Sequence, residues 1–382
     1  MFSLEKFYDV VYKNLLDPAD VGYFYFSNFG SLAPADFSKG VPEFRRDYCA
    51  LFYDQEPIYK KDLELLQHNS DNERLAYFNK LVTDTDIIDK FVVFANSEHS
   101  DEKQQFLTAN PAVHDWYYFF HGFAALDWYR NIEYHPPIRN FTKVFITFNN
   151  LFTEKRSYRL NLIARLLDKQ LDGYISLPDP GNRIKQEIFS PNSLLSVDSK
   201  KLILKTLLPD TPRLVIDTDK PHGALSAEID LGVLAQGLFH LVTETVYYDQ
   251  KLHLTEKIFK PIVARRPFFL VAAPGNLAYL RSYGFRTFDR WVDESYDSET
   301  DPDQRIVKII QEVERLCKLS TADLQTIYAD MQETLDYNFE WFYGGFKKCI
   351  VNELVDNFDQ CLSSAGIAHN MDLAVIKSRL AR

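Results

Sequence analysis

The sequence predicts an α/β protein: two α/β halves followed by a helical tail. Three features predict it. Short apolar runs of strand length end in polar loops, the pattern restarts after a Pro-Pro pair, and helical periodicity fills the chain from about Asp303 onward. In the first half, Val21–Phe26 (VGYFYF), Tyr48–Tyr53 (YCALFY), Phe91–Ala95 (FVVFA) and Tyr117–His121 (YYFFH) read as strands rich in aromatics. Helical stretches such as Tyr59–Gln67 separate them, which favours a mostly parallel sheet.

Pro136-Pro137 continues neither a helix nor a central strand and suits a linker. Beyond it, Lys143–Phe148 reads as a strand, Asn149-Asn150 as a turn, and Glu154–Leu167 as a helix with Leu160, Ile163, Leu166 and Leu167 on its apolar face. Tyr174–Leu177 and Arg213–Ile216 read as further strands, with a turn-rich stretch over Pro178–Pro191. The tail carries Ile306/Ile309/Ile310/Val313, then Leu324/Ile327/Met331/Leu335, then Phe342 to Leu362 at helical spacing. The expected division is 1–137, 138–335 and a helical tail over 336–382 that packs back on the first domain.

Composition bounds the function. With 382 residues the chain has room for two domains and a substantial core. Acidic side chains outnumber basic ones by 54 to 43, and a net charge of −11 argues against coating nucleic acid by bulk electrostatics. Only 14 residues are glycine, and neither G-x-G-x-x-G nor G-x-x-x-x-G-K-[ST] occurs, which weakens dehydrogenase and P-loop readings. No G-x-S-x-G elbow supports a serine hydrolase. Cys49, Cys317, Cys349 and Cys361 stand far apart without metal-ligand spacing, as reduced thiols would. Glu5, Lys6 and Asp9 fall where a signal peptide needs an apolar run, and no apolar stretch approaches the roughly 20 residues of a membrane span. The expectation is a cytoplasmic protein with no membrane span and no metal or cofactor.

Residues 239–297 carry the most information. His240–Thr243 reads as a buried strand ending in Glu244-Thr245, followed by a loop to His253. Thr255 is placed to cap a helix that opens with Glu256-Lys257 and stops at Arg265-Arg266 before Pro267. Phe268–Val271 is the next strand, and Asn276–Tyr283 a helix closed by Gly284 in a left-handed conformation. In a doubly wound sheet, ligands bind beyond the carboxyl ends of strands and near helix N-termini. Unpaired amides there, with Lys257, suit a diphosphate, and the carboxylates of Glu244 and Glu256 suit the hydroxyls of a ribose or sugar. By itself Thr-Glu-Lys is also the signature of a capped surface helix.

VTET (242–245), LTEKIFKPIVARRPFFL (254–270) and the glycine turn after them resemble the donor-binding segment of nucleotide-sugar glycosyltransferases of the GT-B type. The similarity is closest to the α1,3-fucosyltransferase pattern, with Thr245 where that family has Asn-Ser after the acid, and it extends to related phage and bacterial proteins. The resemblance implies a GT-B-like fold, two Rossmann-like doubly wound domains facing a cleft. It implies a UDP- or GDP-sugar as co-substrate, with Lys257 on the diphosphate, Glu256 on the ribose, and Glu244 near the donor sugar, flanked by Thr245 and Thr255. In such enzymes the first strand of the donor domain leads to a basic residue facing the diphosphate, here Arg156 or Arg159. Bidentate contact from either would neutralise leaving-group charge without a metal; an exposed Lys155/Arg156/Arg159 helix face is the other reading of these residues.

An inverting transfer needs a base from the N-terminal half. The foremost candidates are Asp54 and Glu56 after the second strand, then Glu98, His99 and His121 after the third and fourth; a retaining enzyme needs none. Asp84-Thr85-Asp86 and Asp217-Thr218-Asp219 match the metal-binding DxD of GT-A enzymes but read as turns or caps. The aromatic runs Trp116–Phe120 and Phe339–Phe346 suit either stacking or core packing. The acceptor is a glycan or, alternatively, a hydroxymethylated DNA base, which needs base flipping and a basic strip. Arg45-Arg46, Lys60-Lys61 and Arg265-Arg266 are scattered along the chain. A non-catalytic nucleotide-sugar-binding relative is the remaining alternative.

Overall fold

The computed structural model describes residues 6–25, 48–60, 91–177, 182–207 and 227–381. The helix expected over 59–67 beyond Lys60, both Asp-Thr-Asp triplets, the strand expected at Arg213–Ile216, and Arg45-Arg46 and Lys61 lie outside the described residues. The chain is α/β with parallel sheets and divides into two compact units. One comprises 1–127 with 347–382, the other 128–346, so Pro136-Pro137 lies inside the second.

The first unit holds a parallel sheet of β1 (Val21–Tyr25), β2 (Tyr48–Tyr53), β3 (Phe91–Asn96) and β4 (His114–Tyr117), adjacent in chain order. Ala50, Leu51, Phe52, Val93, Phe94 and Ala95 are all buried, as expected of strands covered on both faces. The C-terminal helix Lys347–Ser364 supplies part of that cover. The Trp116 indole donates to the carbonyl of Leu354 at 3.0 Å and packs on Phe358, while Glu353 accepts from the amide of Phe119.

The strand expected at Tyr117–His121 ends instead at Tyr117, and a helix, Phe120–Trp128, begins three residues later. The cause is a side chain from β3's end. The hydroxyl of Ser97 accepts from the amide of Phe120 at 2.8 Å and donates to the carbonyl of Tyr118, giving the new helix the partner its first turn lacks. An unbroken aromatic run has no periodicity to reveal that turn.

The second unit holds β5 (Lys143–Thr147), β6 (Gly173–Ile175), β7 (Gly237–Thr243) and β8 (Phe268–Val271), all parallel, in the spatial order β8-β7-β5-β6. Every residue of β7 is buried. A Cβ on Gly237 would come within 2.7 Å of Ile146, so glycine is what lets β7 start this close to β5. The helix expected over 154–167 is a 3-10 turn, Glu154–Arg156, followed by an α-helix, Tyr158–Asp168, that buries Leu160, Ile163 and Leu166. Gly284 adopts the expected left-handed φ of 87° after the helix Asn276–Ser282, and the Trp341 ring lies where a side chain would be. Helices Pro302–Cys317, Thr321–Asp330 and Gln332–Trp341 follow, the second opened by a capping box of Ser320 and Asp323. None of the described helices is long and apolar enough to cross a membrane.

Candidate functional site

In the second unit the chain passes from β5 to β6 on one side, then places β7 on β5's other flank. That reversal is a topological switch point, where the crevice for a ligand opens outside the carboxyl ends of the two strands. The last paired residues of β5 and β7 are Ile146 and His240. Past them, side chains bridge the strands: Thr147 donates its hydroxyl to the carbonyl of Leu241 at 3.1 Å, and Thr243 donates to that of Phe148 at 3.2 Å. Beyond the last pair of the ladder, these two hydroxyls join the strand ends.

Arg159 underlies the gap. Its guanidinium, 4% exposed, donates to the carbonyls of Leu151 at 2.7 Å, Thr243 at 2.9 Å and Glu244 at 3.1 Å. A buried cation needs such partners, and backbone oxygens take up its donors here. Arg159, one of the two basic residues expected to face a diphosphate, thus ties the loop after β5 to the end of β7. Arg156, on the 3-10 turn before it, is half-buried and makes no side-chain hydrogen bond or ion pair with another described residue. Lys155 pairs with Asp249 at 2.9 Å.

The end of β7 is joined to the Thr-Glu-Lys turn through Glu244, which is fully buried. Its carboxylate accepts from the hydroxyl of Thr255 at 2.5 Å and from the amides of Thr255 and Thr245, each at 3.3 Å. Thr255 caps the 3-10 turn Glu256–Ile258, its oxygen receiving the ammonium of Lys257 at 3.1 Å and, at 3.5 Å, the Lys257 amide. Lys257 also pairs with Glu256 at 3.2 Å; its side chain is 33% exposed, whereas Glu256 is buried. Glu244, Thr255 and Lys257 thus form one connected set. The expected helix begins at Thr255 as 3-10 and continues as α only over Phe259–Val263.

The loop between Thr245 and Leu254 is held by residues the sequence did not single out. Tyr158 donates its hydroxyl to the carbonyl of Glu244 at 2.6 Å and stacks on Tyr247, ring centroids 4.0 Å apart. On Tyr247 sits the guanidinium of Arg305, at 4.3 Å, which also donates to Tyr247's carbonyl. Burial pushes the phenols of Tyr158 and Tyr247 above their ordinary range, so both stay protonated donors. Asn276 receives the amide of His253 and donates to the carbonyl of Lys251, fixing the loop's far end. Glu244 and Glu256, both buried, lie close enough to Tyr129 that their charge adds to burial in raising its phenol.

In the first unit, Asp54 follows β2 and is 1% exposed. It accepts from the hydroxyl of Tyr8 at 3.0 Å and from that of Tyr118, while Gln55 donates to Tyr8 at 2.8 Å. Burial outweighs these donors and pushes the carboxyl up to about 6. His121 places Nε2 3.0 Å from the carbonyl of Gln55, so that nitrogen carries the proton; its charge acts on Asp54 in the lowering direction. Glu56 is half-buried nearby in the chain. Glu98 is committed elsewhere, accepting from the amide of Ile58 at 2.8 Å. His99 stacks on Tyr117, and burial with Lys103 beside it lowers its imidazole to about 4. Asp54, Gln55, Tyr8, Tyr118 and His121 form one group; Glu98 and His99 belong to others.

Neither a known family model nor a curated protein sequence matches the chain.

Proposed function

We propose that the chain is a glycosyltransferase that moves a sugar from a nucleotide-diphosphate sugar to an acceptor hydroxyl without a metal. In this reading residues 128–346 bind the donor and the other unit binds the acceptor, the division of labour of a GT-B enzyme. The observation that carries it is the Glu244–Thr255–Lys257 set at the end of β7, beside a switch point where ligands of parallel sheets bind. Of the three cations the sequence offers for a diphosphate, Lys257 and Arg156 keep that role in this reading, while Arg159 donates to carbonyls. The Glu256 carboxylate suits the ribose, and the acids near Tyr129 suit hydroxyl donors generally.

Leaving-group charge develops on the diphosphate as the sugar departs, and a cation fixed beforehand stabilises it without reorganisation. Lys257 is so fixed by two oxygens, those of Thr255 and Glu256. The acceptor proton goes to the Asp54 group, in which a carboxyl titrating near 6 is ionised at neutral pH and close to the ideal for a general base. Glu56 and His121 remain candidates with it. A thermal-shift panel of UDP- and GDP-sugars tests donor binding, followed by assay of nucleoside diphosphate release with glycan acceptors. Stabilisation by one nucleotide class with acceptor-dependent release is the expected result. No stabilisation by any member of the panel removes the proposal, and binding without release leaves only a nucleotide-sugar-binding protein.

A further inference from the structure

Asn149 stands two residues past β5, beyond the last ladder pair of β5 and β7. It is 1% exposed, and among the described residues its carbamoyl group makes one hydrogen bond, to the hydroxyl of Thr147 at 3.2 Å. Thr147 spends its own proton on the carbonyl of Leu241, so it can only accept from Asn149. That settles which end of the amide is which: the nitrogen faces Thr147, and the oxygen faces away. The Asn149 Oδ1 is buried and has no hydrogen-bond partner among the described residues. A buried acceptor left unmade is costly, and native structures keep few of them without a reason.

We infer that Asn149 is a binding residue of the donor site, its Oδ1 accepting a hydrogen bond from an N–H or O–H of the donor's nucleoside. The inference rests on the nucleotide-sugar reading and extends it from the turn that carries Lys257 to a residue past the end of β5. Three features converge. The position is the switch point, where the ligand crevice of a parallel sheet lies. The orientation of the amide is imposed by Thr147 rather than free. The oxygen can accept but not donate, which suits the imino hydrogen of a uracil or guanine or a ribose hydroxyl, and does not suit a phosphate oxygen. Oδ1 is closed to solvent in this structure, so the inference requires the loop after β5, which the Arg159 guanidinium ties to β7, to shift when the ligand binds.

Calorimetric titration of the full chain with UDP, GDP and inorganic pyrophosphate tests this, using wild type, Asn149→Ala and Thr147→Val. Asn149→Ala removes the acceptor; Thr147→Val removes the group that orients it and serves if the first variant folds poorly. The expected result is that both lower affinity for the preferred nucleoside diphosphate about tenfold, the worth of one hydrogen bond of roughly 1.4 kcal/mol, and leave pyrophosphate affinity unchanged. Unchanged nucleotide affinity in both variants overturns the inference while the nucleotide reading stands. Equal losses for nucleotide and pyrophosphate overturn it as well. If wild type binds neither UDP nor GDP, the nucleotide reading falls and takes this inference with it.

Discussion

Substituting Asp54→Asn isolates the energetics of the buried carboxyl after β2. Burial raises the Asp54 carboxyl from 3.8 to about 6 in the folded chain. At about 1.4 kcal/mol per pH unit, that rise corresponds to about 3 kcal/mol of folding free energy that depends on pH. Its sign is set by which state holds the proton. Below about pH 4 the carboxyl is protonated both folded and unfolded, and its contribution to stability is fully present. Between about 4 and 6 the unfolded chain releases the proton while the folded one keeps it, so stability is lost as pH rises. Above about 6 the loss is complete. Asparagine does not ionise, and whatever its changed bonding to Tyr8 and Tyr118 costs is the same at every pH. Asp54→Asn is therefore expected to improve relative to wild type by about 3 kcal/mol on going from pH 4 to 7.5. Hydrogen exchange of the β2 and β4 amides, corrected for intrinsic rates, reads this locally. A pH-independent difference would refute the reasoning. So would an opposite slope, which would mean that the phenol donors outweigh burial.

Other outcomes follow from the same geometry. Thr255→Val deprives the buried Glu244 carboxylate of its shortest hydrogen bond and should cost about 1–3 kcal/mol in urea denaturation; an unchanged midpoint would contradict the network. Arg159→Lys cannot span three carbonyls and should lower stability and nucleotide affinity together. Loss of affinity at unchanged stability would instead assign Arg159 to the ligand. On the proposed reading, transfer activity survives excess EDTA, because the Lys257 ammonium offsets the charge on the leaving diphosphate; abolition restored by a divalent cation would defeat the metal-independent mechanism.

The elements legible in the sequence are those with local causes. Thr255 caps its turn through an atom two residues away, and Gly284 ends its helix by its own φ. Phe268–Val271 is bounded by Pro267 and the turn at Pro274-Gly275, and it is a strand over those residues. What stayed illegible has partners remote in the chain. Arg159 reads as a diphosphate-facing or exposed cation because the carbonyls it donates to lie at Leu151, Thr243 and Glu244, two of them more than eighty residues on. Arg305 and Asn276 had no motif to mark them, since each acts on the backbone of a distant loop. Asn149 reads as a turn residue; only its place beyond the last ladder pair of β5 and β7 makes its amide notable. The two acids after β2 drew attention as a pair, but the feature that shifts Asp54 is its enclosure by Tyr8 and Tyr118, which no spacing reveals.

The central claim is that the Lys257 ammonium, seated on Thr255 and Glu256, grips the diphosphate of a nucleotide. Calorimetric titration of wild type and Lys257→Ala with UDP and GDP addresses it directly. Wild type should bind one of them, and the variant should bind it about 10- to 100-fold more weakly, the worth of a charged hydrogen bond of roughly 1.5–3 kcal/mol. Equal affinity in the two proteins, or no binding by wild type, would contradict it.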